Sequence, residues 1–327
     1  MLKRNTIYFN NRYLSQYDDE YIDFLQALKT RFFNAFGVDS TEYDMVWVFA
    51  DDITACEILI NSLKNKIRTC SFTRYEPAPD RVMHIKNKLL QEERWAGSHY
   101  IIYGSMYNPF SGYVRDPDMM KREVYVDKNK SNVVRYKNIY LDCCDSFPYV
   151  DVPENVTAWV GTTGTLFKCQ SPVSFIVYKK NIFKQIHHTY KPYSVLDLDS
   201  LIRYQTKEYF KNHAQTANLY GLFEFYNTIK DYDIQGMRNR IDGIRNRIVS
   251  AYPDLFCGSG PVLVLKNKYL FSRIIADFNI YRSRGKYLLY LYEYDDGNLQ
   301  PFLDIIGKAV REMESDKYAE DVKFKNK

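Results

Sequence analysis

Two side chains frame the chemistry this sequence could do. Asp142 closes the apolar run Ile139-Tyr140-Leu141-Asp142. Lys168 closes a Gly/Thr loop, Thr162-Thr163-Gly164-Thr165-Leu166-Phe167-Lys168, that follows the short run Ala158-Trp159-Val160-Gly161. A third apolar run, Ser174-Phe175-Ile176-Val177-Tyr178, comes next. Short apolar runs bounded by turn residues read as buried strands, so an acid and an amine are set at strand ends. A carboxylate there can hold a cation, and a lysine amine can add to a carbonyl or relay a proton. Read singly, Asp142 caps a turn and Lys168 is a solvated loop lysine.

The elements that must position this pair are legible on either side of it. Tyr21, Phe24, Leu25, Leu28 and Phe32 recur at helical spacing, with acids crowding the first turn. Met45-Val46-Trp47-Val48-Phe49-Ala50 reads as a strand, then Asp51-Asp52-Ile53-Thr54 as a turn, then 55–63 as a helix. A strand that turns into a helix offers unpaired N–H groups and the positive end of the helix dipole, an anion site with Thr54 and Ala55 at its start. The plainer reading of the same residues is that Asp52 and Thr54 cap the helix. Further on, the pattern predicts a strand near 69–72, a helix over 82–92 and a strand over 100–105, followed by the polar candidates Ser105, Asn108 and Ser111. Residues 113–138 read as a charged insertion or surface hairpin. Strands alternating with helices predict an α/β fold, a mostly parallel sheet with helices on both faces, where ligands gather at the carboxyl ends of strands.

Beyond Lys184 the chain turns more polar. Helices are expected over 200–210, 219–229 and 236–252, with strands near 262–265 and 286–292 and helices over 268–278 and 299–313, a smaller C-terminal α+β domain. The arginines of 236–252 read as a solvated helix face. The expected division is an N-terminal segment 1–20, a large domain 21–195 and a small domain 196–327, with a flexible tail after about 314.

Composition removes several classes. No apolar run of about 18 residues is present, so no membrane span is expected. The six cysteines, 56, 70, 143, 144, 169 and 257, have neither CxxC pairs nor zinc spacing, which points to free thiols in a reducing compartment and to no metal. A net charge of +5 spread along 327 residues does not indicate a nucleic-acid partner. None of the five histidines sits near a Ser or Cys pattern, so no hydrolytic triad is suggested, and no phosphate-binding glycine motif occurs.

The order Thr54-Ala55-Cys56-Glu57, Asp142, Lys168 resembles the class V aminotransferases, pyridoxal-phosphate (PLP) enzymes of fold type I that include phosphoserine aminotransferases. The resemblance spans about residues 5–310. It implies PLP as cofactor, a Schiff base at Lys168, and Asp142 holding the pyridine nitrogen protonated. It also implies a phosphate site at Thr54, Ala55 and Thr165, and Phe72 or Tyr75 stacked on the ring. Asn108 would face the phenolic oxygen, and Thr216 would reach the phosphate of a neighbouring subunit in a homodimer. Cytoplasmic location and a small amino substrate follow from the same likeness. The sequence departs from the family at Asp51-Asp52, where glycine is usual, at Phe167, where a polar residue precedes the lysine, and in the strand 288–292, which lacks the substrate-binding arginine. The nearest are Arg282 and Arg284. The missing arginine suggests a decarboxylase or lyase acting on an unusual or carrier-linked amino acid as a second reading. Asp51-Asp52 and Phe167 suggest a third, a non-catalytic protein that keeps the fold.

Overall fold

The computed structural model describes residues 19–64, 67–69, 79–94, 101–114, 125–126, 133–134, 138–154, 156–188, 197–205, 219–267, 270, 280–283 and 286–325. In chain order the first elements are α1 (Asp19–Phe36), β1 (Tyr43–Val48), α2 (Asp52–Ser62), β2 (Arg68–Thr69), α3 (Asp80–Gln91) and β3 (Ile101–Ser105). Then come β4 (Tyr107–Asn108), β5 (Tyr113–Val114), β6 (Tyr125–Val126), β7 (Val133–Val134), β8 (Asn138–Asp142), β9 (Ala158–Thr162) and β10 (Ser174–Lys179). The rest are α4 (Leu198–Tyr204), α5 (Leu219–Thr228), α6 (Ile234–Ala251), β11 (Phe256–Cys257), β12 (Val262–Leu265), β13 (Ile280–Ser283), β14 (Lys286–Tyr290) and α7 (Asp296–Lys325). The described residues form two compact units, the second of Tyr107–Val114 with the chain from Asp233, the first of the remainder.

In the first unit six strands lie in the order β1-β10-β9-β8-β3-β2. β9, β8, β3 and β2 pair in parallel, and β10 is antiparallel to both its neighbours. The strands are almost wholly buried, as apolar runs covered on both faces must be. Their side chains alternate between two cores, since successive residues of a strand point to opposite faces. Leu141, Trp159, Phe175 and Val177 pack under α1 and α5, in an aromatic cluster with Phe32, Phe147, Phe167 and Phe225. Tyr140, Val160, Ile176 and Tyr178 pack on the other face against residues of α2, α3 and α4. Gly161 sits where a Cβ would come within 2.4 Å of the Phe175 ring, so the aromatic core requires a bare backbone there.

At the outer strand β1, the Gln205 side chain accepts the Trp47 N–H at 2.8 Å and donates to the Trp47 carbonyl at 2.7 Å. Its amide thus pairs with the strand as a peptide group would. Residues 125–126 and 133–134 pair as a small antiparallel ladder, in keeping with the expected hairpin.

The second unit holds an antiparallel sheet, β11-β12-β14-β13, with the helices α6 and α7. On α6, Met237, Ile241, Ile244 and Ile248 are buried and Asp233 caps the first turn. α7 continues to Lys325, past the end expected at 313. No described helix is long and apolar enough to cross a membrane.

Candidate active site

Asp142 is the last residue of β8 and has no solvent exposure. It shares strand parity with Tyr140, so it emerges on the face covered by α2 and α3. Its Oδ1 accepts the Cys144 N–H at 3.0 Å. Its Oδ2 accepts from Arg81 Nε at 2.8 Å.

Arg81 stands in the first turn of α3 and distributes its guanidinium over three carboxylates. Nε meets Asp142, Nη1 meets Asp52 Oδ2 at 2.7 Å, and Nη2 meets Asp145 in a short contact. The planar fork suits this, because its five N–H donors point outward in fixed directions. Burial works against the Arg81 charge, but Asp142, Asp145 and Asp52 outweigh it and push the group well above the ordinary arginine range. Asp145 moves up from the usual carboxylate range because burial and nearby Asp142 outweigh the attraction of Arg81.

The sequence carried one sign of Arg81 that went unused. A cation in a helix's first turn faces the positive end of the dipole, and such a position is tolerable only where anions converge on it. Those anions are remote in sequence, at 52, 142 and 145.

Beneath this cluster Tyr103, Cys56 and Cys144 are fully buried. The Tyr103 hydroxyl lies beside the Cys56 thiol and makes no regular hydrogen bond among the described residues. Burial raises the Cys143 and Cys144 thiols, with Asp142 adding to the shift, so both stay protonated and are packing groups rather than nucleophiles.

The start of α2 differs from the expectation in one respect. The cap is Asp51, whose Oδ1 accepts the Thr54 N–H at 2.7 Å, whereas Asp52 turns to Arg81. The two carboxylates that stand in place of glycine are therefore each engaged. Thr54 is half-buried and Ala55 fully buried at this helix start.

Lys168 lies in the loop that joins β9 to β10, one strand over from Asp142, which pairs in register with Val160. The loop is closed at its base by Thr163, whose N–H donates to the Val173 carbonyl and whose Oγ1 accepts from the Val173 N–H. Near the apex, Leu166, Phe167 and Cys169 are buried while Lys168 is exposed, with a left-handed φ of 58°. Phe167 packs edge-on against Phe225 at 4.9 Å and against Tyr232 at 5.1 Å. The residue expected to be polar is thus a core anchor, and the backbone reversal at 168 turns the lysine away from it. Just past the lysine, both carboxylate oxygens of Glu224 take the N–H groups of Gln170 and Ser171, at 2.8 and 2.9 Å. Thr165 is half-buried in the same loop.

Asn108 belongs to the second unit. It is fully buried there, and its Oδ1 accepts the Phe110 N–H at 3.0 Å within a turn. Phe72, Tyr75 and Thr216 fall outside the described residues.

No family model and no curated protein matches the chain. Solved structures do. An aspartate aminotransferase from Thermus thermophilus superposes with a TM-score of 0.68 at 12% identity, covering 91% of this chain and 93% of that one. A phosphoserine aminotransferase from Cytophaga hutchinsonii gives 0.67 at 10% identity, with 91% of both chains covered. A PLP-bound phosphoserine aminotransferase from Trichomonas vaginalis gives 0.61 at 8% identity, again over 91% of each.

The fold is the class V aminotransferase fold. Asp142 closes β8, Lys168 lies in the loop beyond the parallel neighbour β9, and the start of α2 is tied to Asp142 through Arg81. The residues fit PLP best at Asp142: a buried carboxylate that already holds a cationic N–H donor can hold a protonated ring nitrogen in its place. They fit less well at α2, where Asp51 takes the N–H that a phosphate would use.

Proposed function

We propose that this chain is a PLP-dependent, aminotransferase-like enzyme that acts on an amino compound. The observation that carries the reading is Asp142, fully buried at the tip of β8, with a cationic N–H donor on Oδ2 and the lysine-bearing loop on the next strand. When bound, PLP supplies an electrophilic carbonyl and an electron sink.

The chain's own groups supply the rest. Asp142 holds a proton on the ring nitrogen through its Oδ2. Lys168 Nζ would hold the cofactor through its carbonyl carbon and, when the substrate amine takes that place and frees it, would serve as general acid and base. Thr54, Ala55 and the α2 N-terminus would hold the phosphate if Asp51 gave up the Thr54 N–H, with Thr165 of the Lys168 loop beside them. Thr216 of a second copy completes the phosphate site, so the proposed active unit is a homodimer, with the cytoplasm as its compartment. Phe72 is proposed to stack on the ring.

A second reaction on the same cofactor is favoured by β14, whose sequence Lys286-Tyr287-Leu288-Leu289-Tyr290 carries no arginine for a substrate carboxylate. Decarboxylase or lyase chemistry on a carrier-linked amino acid does not need that clamp.

The experiment is a visible spectrum of the purified protein titrated with PLP, then borohydride reduction and peptide mapping. The reading expects a new absorption band and a reduced adduct on Lys168, both missing from Lys168→Ala. A colourless protein with no adduct would overturn it in favour of a non-catalytic protein that keeps the fold. Incubation with amino donors and a keto acid, scored for keto product against carbon dioxide, separates the two reactions.

A further inference from the structure

We infer that Arg81 and the ring nitrogen of the cofactor are alternative partners of one Asp142 oxygen, which makes Arg81 a positioning residue that sets how tightly the chain holds PLP. The inference rests on the function proposed above and adds a residue that the proposal does not use. Asp142 has no contact with solvent, so every acceptor site on it must be filled from the protein or from a ligand. Oδ1 faces the backbone at Cys144, a fixed contact within its own turn. Oδ2 is held from a separate element, by Arg81 Nε of α3 at 2.8 Å.

The other two arms of Arg81 do not depend on Asp142. Nη1 is held by Asp52 at the start of α2, and Nη2 by Asp145 just beyond β8. Arg81 can therefore release Nε by a small pivot and remain paired twice. The cost to the ligand is one charge-assisted hydrogen bond, not the loss of the whole cluster. If Oδ2 is shared instead, the guanidinium beside a ring N–H cation disfavours protonation of that nitrogen, since like charges do so at short range. Either course weakens the cofactor's hold.

The test titrates wild type and Arg81→Gln with PLP and, separately, with pyridoxal, which lacks the phosphate, following the visible band. Both ligands should bind the variant about ten- to a hundredfold more tightly, the size of one charge-assisted hydrogen bond. Unchanged affinity for both would overturn the inference while leaving the proposed function standing. Weaker PLP binding with unchanged pyridoxal binding would also overturn it, by making Arg81 a phosphate ligand. A second measurement needs no variant: the Arg81 Nε–H resonance of wild type should shift on addition of PLP, and an unmoved signal in a PLP-loaded sample counts against the exchange. If neither wild type nor variant develops a band, the proposed function itself fails, and the inference with it.

Discussion

The ends of β8 and β9 are neighbours in register, yet they hold their candidate side chains by opposite means. At β8 the acid is fixed by charge: Asp142 is locked between a backbone N–H and a guanidinium that itself answers to two further carboxylates. At β9 the amine is placed by packing. Leu166, Phe167 and Cys169 are sunk into the protein, and the left-handed turn between them presents Lys168 outward. The difference teaches which parts of the site are costly to alter. A charge cluster with little solvent around it is weakened when one pairing is lost, whereas an anchored loop keeps its shape when the presented side chain changes.

The charged tip should be the more fragile. Asp142→Ala removes the partner of Arg81 Nε, with only 13% of that side chain exposed, while Asp52 and Asp145 keep theirs, and should lower stability by about 3 kcal/mol. Urea unfolding measures this; a loss below about 1 kcal/mol would mean that the cluster is solvated after all. At the other tip the largest response should come from the anchor. Phe167→Ala removes a ring packed on Phe225 and Tyr232 and should cost about 3 kcal/mol. Thermal unfolding that matches wild type would refute the packing account of the loop.

Two smaller effects sharpen the contrast. Glu224→Gln keeps one acceptor for the Gln170 and Ser171 N–H groups and should destabilise by about 1 kcal/mol. Faster proteolytic cleavage within 165–172 is the companion readout, and unchanged cleavage would show that the loop does not need this carboxylate. Lys168→Gly relaxes a side-chain-bearing residue at φ 58° and should raise stability by about 1 kcal/mol while removing the amine. A lower melting temperature for this variant would show that Lys168 contributes more by its contacts than its backbone costs.

The smallest effect lies between α2 and α3. Burial pushes the Glu57 carboxyl up, but Lys88 and His84 hold it below its ordinary value of 4.5. Its contribution is therefore complete above pH 4.5 and lost as the pH falls through the folded-state value. Glu57→Gln should flatten that part of the acid limb by about 0.5 kcal/mol. Superimposable acid limbs for the two proteins would remove Glu57 from the account.

Much of this was legible in the sequence, and the reasons are local. Ile139–Asp142, Ala158–Gly161 and Phe175–Tyr178 are short apolar runs between turn residues, and the three strands follow. The apolar spacing at Tyr21, Phe24, Leu25, Leu28 and Phe32 gave α1 its buried face. Direction was not legible, because an apolar run reads the same in either sense, and β10 is reversed against its neighbours. Nor were the partners of Arg81, which lie on three separate stretches of chain, or the cap of α2, where two adjacent aspartates offered the same chemistry and only the backbone turn chose between them. Phe167, a departure from the family's pattern already visible in the sequence, sits among aromatic side chains that the sequence scatters over separate stretches.

The side-chain amide of Gln205, set against Trp47, has a bearing on how the molecule behaves in company. A border strand with vacant donors and acceptors is a template onto which a foreign strand can add. By filling one rung of that ladder from within, a single glutamine discourages self-association through the sheet margin, and its removal would be felt first as a tendency to aggregate.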